Sequence, residues 1–181
     1  YRWIFSMKKE KIYFVSGANT AGKSTIIPLL KKALPAYFHI HDFDERGVPN
    51  SVTTDWRKNE TKHWLRLAMR NSKKGFSTII CGLSMPEEIY GVEKSKKIIF
   101  ILLDISAQQI GKRMRQRWNS PAKIRRLQKV TQLSLDGAIQ ANIATAKKLR
   151  AQCRLYKGKI FNTSSAIAEK TAQRIIDYIV K

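Results

Sequence analysis

The chain has 181 residues, 43% of them hydrophobic, with 35 Lys and Arg against 13 Asp and Glu, for a formal net charge of +22. That length and apolar content suit one globular domain over residues 1–181, and no repeat or low-complexity tract interrupts it. No apolar run reaches membrane-spanning length, the opening YRWIFSMKKEK lacks the features of a signal peptide, and the two cysteines, Cys81 and Cys153, make no disulfide or metal pattern. The sequence therefore predicts reduced thiols in a cytoplasmic protein with no membrane segment, with Met7 as the natural start and residues 1–6 as an extension.

The first predicted strand, KIYFVSG, is β-branched and aromatic, as a buried parallel strand should be. It runs into VSGANTAGKST, which fits the Walker A pattern GxxxxGKS/T with Gly17, Gly22, Lys23 and Ser24 in place. The segment KSTIIPLLKKAL follows with apolar residues at helical spacing. Strand, glycine loop and helix together aim backbone N–H groups and a helix N-terminus at an anion. The candidate phosphate binders are thus Gly17, Ala18, Asn19, Thr20, Ala21, Gly22, Lys23, Ser24 and Thr25. Lys23 adds a point charge toward β and γ phosphates, and the Ser24 hydroxyl is a candidate Mg²⁺ ligand. Pro28 is expected near the end of the first helical turn, where its missing N–H does little harm.

The second strand, YFHIHDFD, leads into HDFDERGVP. Asp42 and Asp44 lie two apart, so in extended chain they point the same way, beside the loop. Carboxylates there either take the proton of an attacking hydroxyl or serve Mg²⁺; the competing reading is that they cap the turn before Gly47. Arg46 suits bidentate contact with an anionic group, or solvent. His39 and His41 lack a third ligand at sensible spacing and read as strand residues. The helix from about Asp55 is amphipathic: Trp56, Trp64, Leu65 and Met69 read as packing, and Arg57, one turn in, as a candidate substrate contact.

A third strand, STIICGLS, a short helix near Glu87 and a fourth strand, KKIIFILLD, come next. Asp104 ends the fourth strand and is expected to cap the following helix. On that helix Arg113 and Arg117 lie four apart, on one face, and lead into an irregular segment around 119–121. A mobile basic segment there would neutralise a transferring phosphoryl group. Residues 105–168 hold fourteen basic residues and one acid, Asp136, a field that either attracts nucleic acid or coats a solvated surface. KIFNTS and a last helix complete an alternation of strands and helices, so the sheet should be parallel, with ligand at the strands' C-terminal ends.

In this order the parts resemble the P-loop kinases of the nucleoside monophosphate kinase, shikimate kinase and gluconokinase group. The resembling pieces are GANTAGKST, the acid pair of HDFDE, LLDISAQQIGKRMRQR and IFNTSS. The resemblance implies a three-layer α/β P-loop NTPase fold with a five-stranded parallel sheet and a short lid over about 113–126. It implies ATP and Mg²⁺, with a magnesium or base role for one of Asp42 and Asp44 and a substrate hydroxyl contact for the other. Arg113 and Arg117 match the lid arginines, and Thr163 the nucleobase-side loop. The chain departs from the pattern at CGLSMPEE, which has no Asp in the usual place of a Walker B acid.

The expected activity is an ATP- and Mg²⁺-dependent phosphotransferase acting on a hydroxyl of a small molecule such as a nucleoside, nucleotide or sugar. Lys23, Asp42, Asp44, Arg113 and Arg117 are the candidate catalytic residues, Ser24 and Asp42 the metal ligands, and Asp44, Arg46 and Arg57 the acceptor contacts. A polynucleotide 5′-hydroxyl kinase, toward which DFDER and the positive charge point, and an ATPase module without acceptor are the alternatives.

Overall fold

The computed structural model describes residues 10–49 and 52–181; the proposed start at Met7 lies outside them. Five strands, β1 (Ile12–Ser16), β2 (Phe38–Asp42), β3 (Ser77–Cys81), β4 (Ile98–Asp104) and β5 (Lys159–Asn162), form one sheet in the order β2-β3-β1-β4-β5. Every pairing is parallel. The reason lies in the strands themselves: β1 and β3 are buried along their whole length, which only a sheet covered on both faces allows.

The helices are α1 (Lys23–Ala33), α2 (Thr54–Lys73), α3 (Pro86–Tyr90), α4 (Ala107–Arg117), α5 (Pro121–Thr131), α6 (Leu135–Leu155) and α7 (Ala168–Val180). Alternation along β1 separates two cores. Tyr13 and Val15 pack with Ile26 and Leu30 of α1 and Ile175 of α7, whereas Ile12 and Phe14 pack with Trp64 and Leu65 of α2 and Leu149 of α6. The result is the three-layer α/β arrangement the sequence predicts, and no helix among the described residues is long and apolar enough to cross a membrane.

Three local expectations are corrected. Pro28 lies inside α1, beyond its first turn, so it removes the N–H that would bond the Ser24 carbonyl and takes that carbonyl out of the helical ladder. Asp104 does not cap α4; Ser106 does, accepting from the Gln109 N–H, while the Asp104 carboxylate takes a two-pronged ion pair from Arg150 at 2.7 and 3.0 Å. The segment expected to be irregular is short, because Ser120 and Pro121 start α5 at once, so residues 113–126 span the end of one helix and the beginning of the next.

Candidate active site

The loop between β1 and α1 is shaped by two glycines for different reasons. A Cβ on Gly17 would sit 2.8 Å from the Leu103 carbonyl oxygen, so this position needs the space. Gly22 has open space around it but a φ of 100°, so it needs the conformation. Between them Thr20 is held at φ 64°, a sparsely populated region for a β-branched residue. What holds it is Arg113, whose Nη1 donates to the Thr20 carbonyl at 3.0 Å while Nη2 donates to the carbonyls of Thr163 at 2.8 Å and Ser164 at 3.2 Å. The Asn19 N–H donates to Oδ1 of Asn142 on α6 at 3.2 Å.

Lys23 opens α1 and folds back over the loop, donating to the carbonyls of Gly17 at 2.7 Å and Ala18 at 2.8 Å. Burial lowers its pKa to about 8, against the pull of Asp44 and Asp42. An ammonium so desolvated, at a helix N-terminus with no acid in its first turn, is poised for an anion.

Asp42 ends β2 and pairs in register with Cys81 at the end of β3. Its Oδ1 accepts from the Asp44 N–H at 3.0 Å, so the turn-capping reading is correct for this carboxylate, whose other oxygen remains available. The Asp42 N–H in turn donates to Glu45, which also bonds His41. Asp44 has its pKa raised, by burial first and then by Asp42, with Lys23 and Arg57 opposing. Cys81, buried at the end of β3 and paired in register with Asp42, has its thiol pushed up to about 12 by burial and Asp42, so a neutral thiol occupies this position.

A cavity of about 770 Å³ brings Lys23, Ser24, Asp44, Trp56, Arg57 and Arg117 together in one lining. Val48, Val52 and Leu83 add an apolar wall. Arg57 is fixed in place, its Nε and Nη2 bonded to Glu88 at 3.0 and 2.8 Å and Nη2 also to the Leu83 carbonyl. A second, smaller cavity of about 270 Å³ adjoins the loop's other side, between Thr20, Thr25, Arg113 and Thr163.

The structure thus gathers most of the residues the sequence singled out and separates others. Arg46 is not in the cavity; it pairs with the buried Glu60 at 3.0 Å. Arg113 parts company with Arg117, because it ties the loop to the segment after β5 instead of facing the large cavity. Thr163 lines the smaller cavity, but its hydroxyl donates to the Asp104 carbonyl at 3.1 Å, so it contributes wall and not a donor. Trp56 packs against the core as expected, edge-on to Phe43, and also lines the cavity. Asn142 and Glu88 carried no sequence signal: one steadies the loop and the other fixes Arg57, both across the chain.

The donor set fits a magnesium–nucleotide. Among the described residues no three His, Cys, Asp or Glu gather for a metal, but Mg²⁺ beside phosphates needs only one or two carboxylates and a hydroxyl, which Asp42 and Ser24 would supply.

No protein-family model and no curated protein matches the chain. Its fold is similar to that of a shikimate kinase from Acinetobacter baumannii in complex with shikimate, with 16% identity and a TM-score of 0.66 over 96% of this chain and 94% of that one. A sugar kinase from Janibacter sp. HTCC2649 gives 17% identity and a TM-score of 0.62 over 94% and 95% of the two chains. A gluconokinase from Sinorhizobium meliloti 1021 gives 14% and 0.54 over 96% and 97%. The fold is that of the P-loop kinases the sequence resembles.

Proposed function

We propose that this chain, built on the P-loop kinase fold, is an ATP- and Mg²⁺-dependent phosphotransferase acting on a hydroxyl group of a small molecule. The observation that carries the reading is the single cavity that the phosphate-loop residues Lys23 and Ser24 line together with Asp44 and Arg57. A binding module without acceptor has no need of a carboxylate in the same cavity as the phosphate loop.

Lys23 holds the β and γ phosphates, exchanging the carbonyls of Gly17 and Ala18 for phosphate oxygens. Asp44, with its raised pKa, accepts the acceptor's proton as the hydroxyl oxygen bonds to the γ phosphorus and the bond to the bridging oxygen breaks, releasing ADP. Asp42 and Ser24 would hold the metal, which neutralises charge on the phosphates when bound. Arg117, in the same lining, stabilises the transferring group. The apolar wall of Val48, Val52 and Leu83, with Trp56 beside it, receives the body of the acceptor and keeps water from the phosphoryl.

The test is incubation with γ-labelled ATP and a panel of nucleosides, nucleotides, sugars and 5′-hydroxyl oligonucleotides. Label should pass to one acceptor class in the wild type and to none in Lys23→Ala. Full transfer by Lys23→Ala, or a wild type that binds no ATP, would sink the reading.

A further inference from the structure

Away from the cavity, α2 carries Lys58, Lys62, Arg66 and Arg70, each four residues after the last, and Lys74 at its C-cap continues the row. All five are exposed, and Lys73 beside them is exposed too. At 1.5 Å per residue this spacing makes a ridge with a cation about every 6 Å, running about 24 Å in all. No carboxylate among the described residues forms an ion pair with any of them, whereas Arg115, Lys148 and Arg150 of the basic last third are paired with Asp136, Glu87 and Asp104. Like charges four apart destabilise a helix, so the row persists against the interest of α2 itself.

A groove of about 670 Å³ lies along the ridge, lined by Lys62, Arg66 and Arg70 together with the apolar Leu65, Met69 and Val92. Glu93 is the one acid lining it. His63, also in the groove, has its pKa lowered by burial and by Arg46, Arg70 and Arg66, against Glu60, so the local field is that of the cations.

We infer that the exposed face of α2 docks a single-stranded nucleic acid through its phosphodiester backbone. A single phosphate compound has no use for a row of this length. The step of about 6 Å exceeds the roughly 3.4 Å axial spacing of phosphates along one strand of a B-form duplex and suits an extended strand, whose bases find the apolar residues of the groove. A basic track thus lies on α2, outside the last third where the sequence concentrates its charge. The inference is independent of the proposed phosphotransfer, since binding is read without ATP.

The experiment is fluorescence anisotropy of a labelled mixed-sequence 20-nucleotide single strand across a salt series. The wild type should bind with a log–log salt slope of about −3, from four or five phosphate contacts at about −0.7 each. Lys62→Gln/Arg66→Gln/Arg70→Gln should flatten that slope by about 2 and weaken binding at least tenfold at low salt, with circular dichroism and ATP binding unchanged. Lys147→Gln/Arg154→Gln/Lys157→Gln, which removes equal charge from exposed positions elsewhere, should change affinity less than twofold. Equal losses in both triple variants would show that binding is a diffuse effect of net charge and overturn the inference. So would absence of strand binding, or tighter, α2-dependent binding to phosphatidylserine vesicles, which would make the face a membrane-surface site.

Discussion

The two walls of the large cavity are organised in opposite ways. On the acceptor side the arginines have carboxylate partners: Arg57 is held by Glu88 and the Leu83 carbonyl, and nearby Arg46 by Glu60, while the Asp44 carboxylate forms no ion pair among the described residues. On the side of α4 and α5, Arg117, Lys123 and Arg126 line a neighbouring cavity of about 590 Å³ with no acid among its lining residues. Arg117 lies over the Trp118 ring, 5.5 Å from its centre, and Lys123 bonds only Asn119. A wall whose arginines are already paired is held in place before any ligand arrives, and a wall of unopposed cations gains its partner from the ligand. The first should reveal itself in stability and in proton transfer, the second in phosphate-dependent rates.

The largest effect is expected on the acceptor side. Asp44→Asn should lower kcat by about 10²- to 10⁴-fold, the usual scale of a lost general base, with ATP binding retained. Normal turnover by this variant would reduce Asp44 to a turn residue. On the opposite wall, Arg117→Ala should lower kcat by about 10²- to 10³-fold while the melting temperature stays within a degree or two, because its guanidinium has no carboxylate partner among the described residues. A large fall in Tm would show that the lid side is structural after all and erase the contrast.

Stability sharpens the same comparison. Glu88→Gln leaves the part-buried Arg57 without its bidentate partner and should cost about 1–3 kcal/mol, seen as a Tm lower by several degrees. Lys123→Gln/Arg126→Gln should stay within about 0.5 kcal/mol of the wild type, as exposed positions without ion pairs do. If the two variants melt alike, the walls do not differ.

The same contrast explains what was legible in the sequence. The loop from Gly17 to Thr25 is contiguous, so its backbone geometry and its lysine could be read from spacing alone, and the buried strands announced a parallel sheet by their unbroken apolar runs. Arg46 and Arg113 were assigned to ligands because their real partners are not local: Glu60 lies fourteen residues on, and the Thr163 carbonyl fifty. A carbonyl acceptor leaves no trace in residue type. For the same reason nothing near Asn142 marks it as the residue that holds Asn19 from α6. Trp56 packs on the core as its helical spacing predicts, and its second role in the cavity lining went unseen because periodicity says which face is apolar and not whether part of that face also borders a cavity.

The smallest expected effect concerns Lys23, the residue both walls share. Its pKa is about 8 in the folded protein against an ordinary value of 10.5, so below pH 8 it is charged in folded and unfolded chains alike and its burial counts fully against stability. Between pH 8 and 10.5 the unfolded chain still binds the proton that the folded one has lost, so this residue's contribution makes stability rise with pH. Cys81, raised to about 12, works the other way once an ordinary thiol ionises near pH 9, and its share must be removed by difference. Chemical denaturation of wild type and Lys23→Met across pH 7–10.5 isolates the lysine: the wild type should gain on the variant through that window. Bound ATP reverses the sign, because phosphate oxygens hold the proton on Lys23, so ATP affinity should fall as pH rises above 8. A wild type whose stability tracks that of Lys23→Met at every pH would mean that the ammonium is well solvated in the ligand-free protein and not desolvated over the loop.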